Sequence, residues 1–198
     1  MASGFKLRPN QTQQDATQQA RLQGYSPVTK LMHWLIALLV LGQFVVAFLM
    51  PEIGRATVSG PLINLHFSLG VVILVLMAIR AFLRVRNPVP LDMPDRPVWE
   101  RWIAIATHRL FYFILLVGPF LGWASASAHN LPVNVFGLFV LPSIAAPKAG
   151  WALVAGDVHS LFMWTLLALI GLHVAGALYH YFFLNDHILQ RMLAARGK

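Results

Sequence analysis

One stretch limits the fold more than any other. From Val158 to Leu184 the chain contains no Asp, Glu, Lys or Arg, yet it carries His159, His173 and His180. His159 and His173 are 14 residues apart, which on a helix puts them within about 40° of one another and roughly 21 Å apart along the axis. His180 follows 7 residues later, about 20° off His173 and roughly 10 Å further on. A run this long and apolar spans a bilayer. Ionisable groups at that depth are costly and mark sites, although a lone histidine is equally explained by a hydrogen bond to a neighbouring helix. Three on one stripe call for partners on other helices.

Those helices are present. With 58% hydrophobic and 11% charged residues, the 198-residue chain is far more apolar than an ordinary soluble domain. The pattern predicts an all-α integral membrane four-helix bundle with spans over about 31–50, 62–83, 102–126 and 158–184. Residues 1–29, rich in glutamine, form a polar tail without apolar periodicity. Residues 30–186 are the transmembrane domain and 187–198 a basic tail. The loop 85–100 holds four prolines, and Trp99 and Trp102 suit an interfacial belt. The longest loop, 127–156, includes an apolar piece, 133–140, too short to cross as a helix and expected at the interface.

Charge sets the expected orientation. Thirteen of the 15 Lys and Arg residues lie at one end of this topology, and only Arg55 and Lys148 at the other, so both termini are expected in the cytoplasm. The same asymmetry accounts for the net charge of +8, and nucleic-acid binding is not needed to explain it. The absence of cysteine excludes disulfides, Cys-ligated iron–sulfur clusters and c-type haem attachment. Metal chemistry must therefore rest on the eight histidines.

Sorted by depth, the histidines form two pairs. His66 and His159 lie near the outer face, and His33 and His173 nearer the inner one, since His173 sits roughly 22 Å down its span. Facing imidazoles in an apolar slot are what a b-type haem requires, and bis-His ligation leaves electron transfer as the implied chemistry. Gly70, Gly171 and Gly176 would give a flat ring room, though ordinary close helix packing explains them as well. Two haem b groups roughly 20 Å apart would make a path across the membrane.

Several stretches carry a resemblance: Lys30-Leu31-Met32-His33-Trp34; Ile63-Asn64-Leu65-His66 with Gly70 and the Arg80 to Arg84 end; His108 ahead of Pro119; and His159 with Gly171-Leu172-His173 and His180. Over about residues 22–194 the chain resembles the bacterial cytochrome b561 family. The resemblance implies a bacterial inner-membrane protein whose two haems are held by His33, His66, His159 and His173. It also implies similarity to superoxide oxidases, which pass an electron from superoxide to ubiquinone.

On that reading Arg55 or Lys148 would attract superoxide or another small donor at the outer face. Scattered solvated charges explain those two residues equally well. Ubiquinone would sit by the inner haem, where Arg80, Arg84, His108 and His180 are candidate quinone or propionate contacts, a near-neutral histidine suiting proton supply. Topology and lipid-phosphate contact account for the two arginines also. His129 and His187 are expected to be solvated. The alternatives are a haem-b anchor subunit relaying electrons between quinone and a hydrogenase- or dehydrogenase-type protein partner, and a small transporter using its histidines as proton relays.

Overall fold

The computed structural model of the protein describes residues 26–54, 56–86, 97–184 and 188–193. The polar tail up to residue 25, Arg55, most of the proline-rich loop and His187 lie outside the described residues. Four helices long and apolar enough to cross a membrane occur among them: α1 (Pro27–Leu49), α2 (Pro61–Arg86), α3 (Val98–Ala128) and α4 (Gly150–Phe182). A hairpin of two short strands, β1 (Val133–Val135) and β2 (Phe139–Leu141), joins α3 to α4, and a one-turn helix, α5 (Ile188–Met192), ends the described chain.

Local chemistry explains the ends. Ser26 caps α1 by accepting from the Thr29 amide at 3.3 Å, with Pro27 in the first turn where no donor is missed. Pro51 follows the last turn of α1 and cannot continue it. All four spans start earlier than the sequence expectation, most of all α4, which begins at Gly150 rather than Val158, while α2 and α3 end two to three residues later and α1 and α4 one to two residues earlier. The reason is packing. Ala152 and Ala155 are buried against Ala124 and Ala128 of α3, while Asp157 remains exposed on the opposite side. What read as loop is therefore the first two turns of a helix docked through small residues.

The bundle core has a layered construction. Ile36 and Val40 of α1, Ile73 and Met77 of α2, Ile114 of α3 and Leu166 of α4 form one buried cluster. A second cluster at the hairpin end joins Ile63 and Phe67 to Ala126, Leu131 and Val133. Outward-facing Leu38, Leu41, Phe82, Trp164 and Leu172 are exposed, as expected of a surface solvated by lipid tails rather than water.

The expected interfacial piece is the β-hairpin, in the register Val133 to Leu141 and Val135 to Phe139. Phe136 (φ 51°) and Gly137 (φ 76°) make its turn, closed by the Leu138 amide on the Val135 carbonyl at 2.9 Å. Ser68 pins the turn to α2. Its buried hydroxyl lies 2.7 Å from the Asn64 carbonyl and 3.1 Å from the Asn134 carbonyl, and accepts from the Phe136 amide at 2.9 Å. At the other end Lys30 Nζ donates to the Leu193 carbonyl at 2.8 Å and Trp34 Nε1 to the Met192 carbonyl at 3.0 Å. The segment read as a basic tail thus folds back onto α1, with a cation and an indole satisfying the carbonyls that a helix end leaves free.

Ser68→Ala removes the side-chain acceptor of the Phe136 amide and should cost about 0.5–1.5 kcal/mol. A thermal melt in detergent checks this, and an unchanged melting temperature would show that the hairpin is held by apolar contact alone.

Candidate functional site

Two histidine pairs face one another across the bundle, separated by the central apolar layer. In the pair at the termini end, the rings of His33 (α1) and His173 (α4) have centroids 6.4 Å apart and planes at 65°. In the pair at the hairpin end, His66 (α2) and His159 (α4) are 6.3 Å apart at 83°. Each ligand-type residue lies one to two turns from a member of the core cluster: His33 before Ile36, His66 before Ile73, His159 before Leu166 and His173 after it. The apolar layer therefore fixes the vertical separation of the pairs.

The hairpin-end pair sits in the tightest part of the fold. His159 Nδ1 is 2.8 Å from the Gly118 carbonyl. A carbonyl only accepts, so Nδ1 carries the proton and Nε2 keeps its lone pair. The ring lies against Gly122, where an added Cβ would come within 3.1 Å of Cε1 and 3.2 Å of Nδ1. Cβ atoms would also meet Met163 Cε at 2.9 Å from Gly118 and Ser125 Oγ at 2.5 Å from Gly156. The small residues that admit the imidazole are thus on α3, one turn apart and flanking Pro119. Of those singled out in the sequence for making room, Gly171 and Gly176 face open space, and Gly70 has the Gln43 amide 3.6 Å from its Cβ position.

His66 contrasts with its partner. Its Nδ1 is buried with no hydrogen-bond partner among the described residues. Its backbone carbonyl accepts from Gln43 Nε2 of α1 at 2.9 Å, and the Oε1 of that same amide is buried and unpartnered. Gln43 had no place in the sequence reading. The available signal was an amide in the middle of an otherwise apolar span, a residue type that glues transmembrane helices together.

The termini-end pair is more open and more polar. His108 lies closer to His173 than His33 does, with centroids 5.4 Å apart at 89°, and Phe111 packs on the same ring at 5.5 Å. The 2.7 Å contact of His108 Nδ1 with the Ala104 carbonyl gives Nδ1 the proton and leaves Nε2 as an acceptor on an exposed side chain. Arg80 Nη1 donates to the Thr29 carbonyl at 3.1 Å. Since that carbonyl also faces the His33 amide in the helical ladder, the guanidinium grips the turn that presents His33. Arg84 and His180 lie in the last turns of α2 and α4, with His180 half-buried and edge-on to Tyr179. At the hairpin end Lys148 is exposed and His129 Nδ1 bonds the Ser125 carbonyl at 2.9 Å.

Among the described residues no three His, Cys, Asp or Glu side chains converge as they would around a bare protein-bound metal ion. What does converge is two pairs of imidazole rings, His33 with His173 and His66 with His159.

The sequence model of a family described as "Prokaryotic cytochrome b561" matches residues 24–195. "Cytochrome b561 homolog 2" of Escherichia coli (strain K12) is 30% identical over 172 residues, covering 85% of this chain and 90% of its own length. "Probable superoxide oxidase CybB" of Yersinia pestis is 31% identical over 165 residues, covering 82% and 91%. "Cytochrome b561 homolog 1" of Escherichia coli (strain K12) is 28% identical over 131 residues, covering 66% and 74%.

The contact at Gly122 makes a direct test of the seam. Gly122→Ala forces the His159 ring or α3 to shift and should cost about 1–3 kcal/mol. Gly42→Ala, where the new methyl meets nothing within 4 Å, should leave the melting temperature unchanged or raised. Equal melts for the two variants would mean that the α3–α4 seam has slack.

Proposed function

Since this chain belongs to the prokaryotic cytochrome b561 family, haem-b electron-transfer proteins of the bacterial inner membrane with four spans, we propose that it holds two haem b groups. One would lie between His33 and His173 and the other between His66 and His159, with both chain termini in the cytoplasm. The reaction proposed is oxidation of superoxide at the hairpin end and reduction of ubiquinone at the termini end.

The observation that carries this reading is the spacing of the rings. Two imidazoles that shared one metal between their nitrogens would have centroids about 6.2 Å apart, from a metal–nitrogen bond of about 2 Å and roughly 1.1 Å from nitrogen to ring centre. The pairs at 6.4 and 6.3 Å fit that span. His108 and His173 at 5.4 Å are too close to flank a metal in this way, which favours His33 as the partner of His173 and leaves His108 for another task.

Haem b supplies, when bound, a one-electron couple screened from water. The protein's own groups do the rest. His159 presents Nε2 because its Nδ1–H is committed to the Gly118 carbonyl. Arg80 holds the turn of His33 and contributes positive charge at the ubiquinone end. His108 and His180 would pass protons to the quinone and Arg84 would contact it or a propionate. The overall reaction balances as two superoxide ions losing one electron each to give two O2, while ubiquinone takes two electrons and two protons to give ubiquinol. The similarity to a relative named as a probable superoxide oxidase supports the choice of donor.

The purified chain should show reduced-minus-oxidised bands of low-spin haem b with two haems per chain by pyridine haemochrome, and should reduce ubiquinone with superoxide unaided. Two haems without superoxide turnover would leave an electron-relay subunit that needs a protein partner.

The pairs separate by mutation. His66→Ala or His159→Ala should remove one haem and retain much of the other, whereas His180→Ala should keep both and slow ubiquinone reduction. Loss of one haem from His180→Ala would reassign His180 as a ligand.

A further inference from the structure

The two histidines of the hairpin-end pair differ in one respect that the proposed ligation alone does not explain. An imidazole giving Nε2 to a metal keeps its proton on Nδ1, and that N–H is nearly always taken by an acceptor that orients the ring and raises its basicity. His159 has such an acceptor in the Gly118 carbonyl. His66 has none, although its Nδ1 is fully buried, and a buried donor left bare is costly.

The unpartnered buried atoms around it narrow the choice. Gln43 Oε1 and Asn64 Oδ1 are the buried, bare amide oxygens among the described residues. Asn64 stands two residues before His66 on the same helix, about 160° around it, so its side chain leaves from another face. Gln43 comes from α1 and is already anchored on His66, since its Nε2 donates to the His66 carbonyl. That bond also decides the amide's orientation: the nitrogen faces the carbonyl, and the oxygen is left over as an acceptor. Gly70, one turn beyond His66, has no side chain to push the amide away.

We propose that Gln43 is a positioning residue for the hairpin-end haem, its Oε1 accepting the Nδ1–H of His66 while its Nε2 holds the His66 backbone carbonyl. The inference rests on the haem reading above. Its physical consequence is electronic as well as steric. An acceptor on Nδ1–H makes the ligand more electron-rich and stabilises the oxidised iron relative to the reduced, so the acceptor lowers the reduction potential. Gln43 is thus a means by which the first helix, which supplies no ligand to this pair, sets the driving force for electron entry.

The test is a spectroelectrochemical titration of detergent-purified wild type, Gln43→Leu and Gln43→Glu, each with haem content measured. In Gln43→Leu one of the two one-electron waves should move to higher potential by about a tenfold change in the reduced-to-oxidised ratio, or about 59 mV, with the other wave unmoved. Gln43→Glu, which keeps an acceptor oxygen, should leave that wave at or below its wild-type position. Both variants matching wild type, or both shifting upward together, would overturn the role of Gln43 while leaving the two-haem reading intact. If Gln43→Leu loads haem poorly, the direction of the Gln43→Glu shift decides alone, an upward shift overturning the proposal. Wild type without haem would overturn the haem reading and this inference together.

Discussion

The bundle depends on the rule that a polar atom in hydrocarbon must find its partner inside the protein. Backbone groups obey it by forming helices, and four of these suffice to bury most of what the chain must bury. The imidazoles are harder. Each has two nitrogens, and a site that uses one must provide for the other. At His159 the provision is backbone: α3 and α4 approach through Gly118, Gly122 and Gly156 until a main-chain carbonyl comes within 2.8 Å of the ring. Van der Waals contact between small residues, the main force available between helices in lipid, thereby becomes the device that sets a tautomer.

The same logic explains why helices that contribute no histidine to a given pair still matter to it. Arg80 of α2 bonds the turn below His33, and Gln43 of α1 bonds the carbonyl of His66. In both cases a long side chain crosses one helix contact and fastens the backbone that carries the imidazole. Ser68 does the corresponding work for the hairpin, and Lys30 and Trp34 for the C-terminal turn. Packing within the central layer of Ile36, Val40, Ile73, Met77, Ile114 and Leu166 sets depth. These polar crossings set orientation.

Much of this was legible in the chain because helix rise and bilayer thickness are rigid rulers. Counting 14 residues from His159 to His173 and alternating the direction of successive spans was enough to match His33 with His173 and His66 with His159. Illegible features have specific physical causes. Gly156 and Asp157 read as a loop boundary, but Gly156 admits Ser125 and Asp157 points outward, so α4 starts a full two turns earlier. The hairpin turn places Phe136 at positive φ, where an Asn or Gly would have announced it, and relies on Ser68 and the Asn134 side chain to hold it there. Gln43 escaped notice because it is no metal ligand. His108 was expected beside the inner pair, but its ring-to-ring contact with His173 at 5.4 Å depends on side-chain packing that residue counting does not reach.

The two ends of the molecule are consequently built to different standards. At the hairpin end the imidazoles are enclosed by α3 glycines, a backbone acceptor and an intramembrane amide, and the only cation described there, Lys148, is out on the loop surface. At the termini end His173 is ringed by His33, His108 and Phe111, with Arg80 nearby on the turn of His33 and the C-terminal segment tied over α1. A small anion that gives up only an electron needs an approach to a ring edge and no proton donors. A quinone that also takes up protons needs titratable groups and a groove at headgroup depth. Among the described residues the termini end brings His108 and Arg80 to its histidine pair, while the hairpin-end pair is closed in by glycines and a backbone carbonyl, an asymmetry that supports the proposal of proton-coupled chemistry at the termini end.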